Sequence, residues 1–159
     1  MGSDTGRIQK VAGKNKDAPE KNGKKDQTLF QRSQDMSLVE KIQLGMKGDK
    51  EARTILIRDS NKMIQLAVIN NPRVTESEVV NIARSRNVNE EVLRKIANTK
   101  EWTKLYQVRV ALVNNPKTPI AVALRFISTL MINDLKSLAK SKSVPSAITT
   151  AARRLTIRR

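Results

Sequence analysis

Apolar residues recur along this chain at intervals of three and four, in bursts too short for long helices. Ile64, Ala67 and Val68 make one stripe, Val79, Ile82 and Ala83 the next, and Val92, Leu93 and Ile96 a third. Such spacing places the apolar side chains on one helical face, and no stretch alternates convincingly in the manner of a strand. The polar residues between bursts read as starts and stops. Ser37-Leu38-Val39-Glu40 and Thr75-Glu76-Ser77-Glu78 have capping-box spacing, in which each side chain satisfies the other residue's free backbone N–H. Asp49, Asp59 or Ser60, and Asn89 are further cap candidates, and Thr118 precedes a proline at a first helical position. Gly48 breaks one helix. Asn70-Asn71-Pro72 ends another, because asparagine tolerates left-handed backbone and proline steers its predecessor out of the helical region. The pattern predicts about nine short helices between Ser37 and Arg154.

Part of this pattern is stated twice. Ile64–Ala83 reads IQLAVINNPRVTESEVVNIA and Val108–Ile127 reads VRVALVNNPKTPIAVALRFI, at a constant offset of 44. Ala67 meets Ala111, and Asn70-Asn71-Pro72 meets Asn114-Asn115-Pro116. A second match, IARSRN from Ile82 against LAKSKS from Leu138, stands at an offset of 56. An extra helical turn or loop around Ser128–Asn133 would account for the difference. Helical units repeating at this period imply a stacked array, with units at about residues 49–101 and 102–154.

Phrases such as Val108-Arg109-Val110-Ala111-Leu112 and Asn115-Pro116-Lys117-Thr118-Pro119 resemble the leucine-rich repeat variant, a relative of the HEAT-like α-solenoids. The earlier copy departs from that pattern, with Gln65 in place of the arginine and Thr75 in place of the second proline. The resemblance spans roughly Glu51–Arg154 and implies an all-α fold, a short α-solenoid that presents a surface. One type in that family carries an iron–sulfur cluster on cysteines, which this chain lacks. Family members do different jobs, so the resemblance does not assign an activity.

Composition narrows the picture further. Of 159 residues, two are Phe, one Tyr and one Trp, so the core must be aliphatic. Gly2, Gly6, Gly13, Pro19 and Gly23 lie among many lysines, asparagines and acids with few apolar residues. Residues 1–35 therefore read as a disordered tail, and residues 36–159 as the helical domain. There is no histidine or cysteine, which removes thiol chemistry, disulfides and the usual zinc sites. We expect no cofactor, no metal and no catalytic residue. The absence of cysteine fits a cytoplasmic protein, and no apolar run is long enough to span a bilayer.

Net charge is +16, and its distribution matters more than its total. From Trp102 onward eleven bases face Asp134 alone, a net of +10 on the C-terminal third. Such a field favours polyanions. The triplets Arg84-Ser85-Arg86 and Lys140-Ser141-Lys142 fall at predicted helix C-termini. There they either complement the helix dipole or contact an anion. Arg109, Lys117 and Arg125 flank the second Asn-Asn-Pro turn, and Arg153 and Arg154 lie near the end of the chain. Trp102 and Tyr106 are too few for a base-stacking platform and read as packing residues. The expectation is a non-enzymatic module that binds DNA or RNA through Arg84, Arg86, Arg109, Lys117, Arg125, Lys140, Lys142, Arg153 and Arg154. The alternative is a protein–protein scaffold that docks an acidic partner segment on the same residues.

Overall fold

The computed structural model describes residues 27–159. Among them are eleven helices and no strand. These are α1 (Leu29–Gln34), α2 (Leu38–Lys47), α3 (Lys50–Leu56), α4 (Lys62–Ile69), α5 (Glu76–Arg84), α6 (Glu90–Ala97), α7 (Lys100–Thr103), α8 (Tyr106–Asn114), α9 (Ile120–Ile127), α10 (Ile132–Ala139) and α11 (Ser146–Arg158). Nine of the eleven lie where the apolar stripes predict helices. The additions are the single turn α7 and α1, which falls inside the segment expected to be disordered. Thr28 and Gln31 close a capping box there, a local signal strong enough to start a helix with little apolar burial. The rest of the expected tail, residues 1–26, lies outside the described residues.

The expected caps form at Ser37, Asp49, Thr75 and Asn89, each side chain accepting a first-turn backbone N–H. Two expectations need correction. Asn61 caps α4, while Asp59 accepts the backbone N–H of Asn61 at 2.9 Å. At α9 the cap position is Pro119 itself, and the buried Thr118 hydroxyl makes no hydrogen bond.

Packing follows two interleaved series. In the first, α2 meets α4, α4 meets α6, and α9 meets α11; Arg125 of α9 reaches the end of α6, donating to the Ala97 carbonyl at 3.1 Å. In the second, α5 packs on α8, Arg53 of α3 pairs with Glu78 of α5, and the Tyr106 hydroxyl of α8 bonds Asp134 of α10. Contacts between sequence neighbours, of which α10 on α11 is the most extensive, tie the series together. The core between them is aliphatic, as the composition requires. One continuous cluster runs from Ile69 to Ala152, with Phe126 as its buried aromatic, and a small satellite of Leu56, Ile64 and Val68 lies near the N-terminal end. Trp102 and Tyr106 pack against the main cluster.

The two sequence offsets take on a physical meaning here. An offset of 44 carries α4 onto α8 and α5 onto α9, which moves each helix to the opposite series. An offset of 56 carries α5 onto α10, within the second series. No extra turn exists around Ser128–Asn133, since four residues join α9 to α10 and five join α5 to α6.

The repeated Asn-Asn-Pro turns also work differently from expectation. No described residue has positive φ, so left-handed tolerance is not the reason for asparagine. The second asparagine of each turn is buried, Asn71 at 2% and Asn115 at 4% exposure. Asn71 Nδ2 donates to the carbonyls of Gly45 and Gly48 at 2.9 and 3.0 Å. Asn115 Nδ2 donates to those of Ala83 and Ser85, both at 2.8 Å. Each Oδ1 accepts the backbone N–H two residues on, from Arg73 or Lys117. One side chain thus closes its own turn and the C-terminal end of a neighbouring helix, whose last carbonyls have no partner within that helix. The approach is tight at the first clamp. A Cβ on Gly48 would sit 2.4 Å from the Leu44 carbonyl oxygen and 2.6 Å from the Ala52 Cβ.

Asn115→Ala strands two carbonyls and should cost about 1–3 kcal/mol in urea unfolding. Asn114→Ala, which removes an exposed side chain bonded only to Val110 of its own helix, should stay within about 0.5 kcal/mol. Equal losses at both positions would show that the clamp is not what matters.

Candidate nucleic-acid interface

Short helices leave many open C-termini, and arginine fills a large share of them. Arg53 donates to the Gly48 carbonyl after α2 at 3.0 Å, Arg109 to Thr103 at the end of α7 at 2.8 Å, and Arg125 to Ala97 at the end of α6. Arg159 donates to Ser128 and Leu130 after α9, at 2.6 and 2.7 Å. Guanidinium suits this task because its planar fork offers several donors and stays charged beside the negative helix end. Gln65 does the same work in the earlier copy. Its Nε2 donates to the Asp59 carbonyl at 2.7 Å, and Asp59 aligns with Thr103 at the offset of 44.

The nine residues expected at an interface therefore divide. Arg109 and Arg125 are engaged within the chain. Arg109 is half-buried, bonded to the chain and set over the Tyr106 ring at 5.4 Å. Arg125 is bonded to Ala97 and Asn98 and set over Phe126 at 5.2 Å. Arg125 nonetheless stays exposed, whereas Arg109 does not.

Arg84, Arg86 and Lys117 are exposed, on backbone segments that lie close to one another. The Asn115 clamp on the Ser85 carbonyl seats the turn carrying Lys117 against the residue between the two arginines. Arg84 also reaches Gln107 at 3.1 Å. Lys140 and Arg153 line one cleft between α10 and α11, with Lys142 exposed just beyond α10 and Arg154 exposed on α11. Within the described residues, Arg86, Lys117, Lys140, Lys142 and Arg154 have no side-chain hydrogen bond or ion pair.

Two further cations escaped sequence reading. The Asn71 clamp on Gly48 brings exposed Lys47 and Arg73 near each other, as its counterpart does for Arg86 and Lys117. The signal was present, since Arg73 aligns with Lys117 at the offset of 44. Its meaning depended on knowing where the asparagine points.

Two carboxylates before Trp102 are taken up by cations of the chain itself. Glu78 takes Arg53 in a two-point pair at 2.9 and 3.1 Å, and Asp59 takes Lys41 at 3.0 Å. Burial pushes both carboxyls up. At Glu78 the Arg53 hydrogen bond and then the Thr75 cap outweigh it, and at Asp59 the Asn61 N–H and Lys41 do so. Both end below their ordinary values. In the basic third, burial first and then Asp134 push the Tyr106 hydroxyl up, and Asp134 is held in that contact. The ion pairs among the described residues are Lys41–Asp59, Arg53–Glu78 and Arg94–Glu91. None involves a base beyond Trp102.

No helix among the described residues is long and apolar enough to cross a membrane, and none of their acidic side chains group in a way that could hold a metal ion. No family model, curated protein or solved structure matches the chain.

Arg125→Met should cost about 1 kcal/mol through the lost carbonyl bond, whereas Lys142→Met should leave the thermal midpoint unchanged. Equal effects would undo the division into packing and free cations. The depressed Asp59 and Glu78 carboxyls stabilise the fold above the ordinary carboxylate range. That contribution is lost as pH falls through their folded values, below about pH 4. Glu78→Gln should therefore lower the melting temperature at neutral pH and flatten its fall between about pH 5 and pH 3. An unaltered acid profile would assign the acid sensitivity to other groups.

Proposed function

We propose that this chain is a short, non-enzymatic α-solenoid of the leucine-rich-repeat-variant or HEAT-like type that binds nucleic acid through backbone phosphates. The interleaved series of short helices, each touching near neighbours, supports the architecture. The observation that carries the function is the closeness of exposed Arg84, Arg86 and Lys117 at the Asn115 clamp, beside a C-terminal third whose one acid, Asp134, is engaged by a tyrosine. Nothing internal neutralises these charges, and a row of phosphates would. Contacts of this kind give strong salt dependence and little sequence preference. The sparse aromatics leave base stacking a minor part. The absence of cysteine and histidine supports a binding rather than a catalytic role, and the lack of cysteine accords with a cytoplasmic setting.

A second reading has its own observation. A groove of about 750 Å³ lies between α3 and α5, with buried Val68 and Ile82 at its base and exposed Lys50 and Arg58 at its mouth. An acidic peptide with one apolar anchor would suit it.

Affinity for a duplex of about 20 base pairs, as DNA and as RNA, and for an acidic peptide should be measured across a salt series. Arg86→Glu/Lys117→Glu should weaken nucleic-acid binding by about tenfold or more and reduce the salt slope by about 1.8, the value for two phosphates. Unchanged affinity in that variant would remove the cluster from the interface. Tight binding of the peptide alone, lost in Arg58→Glu, would favour the groove.

A further inference from the structure

The cleft between α10 and α11 has a volume of about 630 Å³, within the size range of sites that hold nucleotide-sized ligands. Two stripes face each other across it. Lys136 on α10 and Lys140 at its C-cap stand one turn apart, followed by Ser141; Thr149, Arg153 and Thr156 form the facing stripe of α11. Three of these six residues are cations and none is an acid. Like charges at i and i+4 on one helix oppose each other by a few tenths of a kcal/mol, and no carboxylate lines the cleft to offset them. Asp134, the acid on α10, is bonded to Tyr106 of α8.

The C-terminal end of α10 gives a partial reason for cations here, since Arg153 donates to the Ala139 carbonyl. That bond is long at 3.4 Å and uses one of five guanidinium donors. A helix end carries about half a negative charge, against three full positive charges. The hydroxyls sort themselves as well. Thr149 and Thr156 donate to the Ser146 and Arg153 carbonyls at 3.0 and 2.7 Å, so their hydrogens are spent. Ser141 accepts the Ser143 N–H and keeps its hydrogen free. The donors open to the cleft are thus two ammonium groups, most of a guanidinium and one hydroxyl.

We infer that this cleft seats a phosphate ester, held between Lys136, Lys140 and Arg153 with Ser141 as the neutral donor. This rests on the nucleic-acid reading for its source, a phosphate in the backbone of a bound strand. Lys136 and Ser141 thereby join the interface, and the cleft fixes one phosphate where exposed lysines elsewhere make looser contacts.

The test uses the full chain and Lys136→Gln/Lys140→Gln, with the melting temperature of the variant as a control for folding. Backbone amide shifts of Ser141, Thr149 and Arg153 are followed by NMR during titration with the DNA or RNA duplex and, separately, with inorganic pyrophosphate. The expected result is that both probes shift these amides. The double variant should lose the shifts, bind the duplex about tenfold more weakly and show a salt slope reduced by about 0.9, the value for one phosphate. A variant that binds the duplex as tightly as the parent, while Arg86→Glu/Lys117→Glu does not, overturns the cleft and leaves nucleic-acid binding standing. Pyrophosphate shifts lost in the variant, with no duplex bound by the parent, keep the phosphate seat and refute the nucleic-acid source. No shift of these amides by either probe refutes the seat.

Discussion

Unsatisfied helix ends constrain this molecule more than any other feature. The helices described here run mostly from six to ten residues, and every helix leaves four N–H groups and four carbonyls without intrahelical partners. At that length the open groups rival the closed ones in number, so a fold of this kind stands only if side chains supply the difference. The N-termini are served locally by Ser37, Asp49, Asn61, Thr75 and Asn89. The C-termini are served mostly from a distance. Asn71 and Asn115 reach back across 23 to 32 residues and Arg125 and Arg159 across 28 to 31, while Arg53 joins Asn71 on Gly48 and Arg109 closes Thr103 from nearby in sequence. These long-range bonds complement an aliphatic core that fixes burial without fixing angle.

This requirement shapes the charge of the surface. Arginine and lysine contribute equally to the net total, yet they do different work. Of the six arginines beyond Trp102, four donate to backbone carbonyls, and none of the five lysines there makes a side-chain hydrogen bond. The packed guanidiniums keep their charge, so they still contribute to the long-range field. The ammonium groups, together with Arg86 and Arg154, have no side-chain partner among the described residues, and Arg84 and Arg153 keep donors to spare. A single basic excess thus has a fraction bonded within the chain and a fraction left unpaired among the described residues, and the clamps that close the helix ends also decide which unpaired cations become neighbours.

Much of the fold was legible because the signals were local. Nine helices, the two capping boxes and the aliphatic core follow from spacing and residue type within windows of a few residues. The site was legible only in part. Arg84, Arg86, Lys117, Lys140 and Lys142 stand exposed where charge counting placed them, whereas Arg109 and Arg125 looked equivalent in sequence and are taken up by Thr103 and Ala97. Lys47 and Arg73 were overlooked for the converse reason, since nothing near them in sequence marks them as a pair.

The sequence alone determined where most helices begin, which face of each is apolar, and that one end of the chain carries unbalanced positive charge. These depend on 3.6-residue periodicity, cap chemistry and a count of charges, all properties of the unfolded text. Tertiary structure decided what the repeats mean. Copies related by 44 residues fall in opposite series and those related by 56 fall in the same one, because a 44-residue step spans an odd number of packing positions. It also decided that Asn115 is a clamp and that Lys136, Lys140 and Arg153 share a cleft. A side chain's donors and charge are intrinsic to its type, but the acceptor it finds is fixed only when distant segments are packed together.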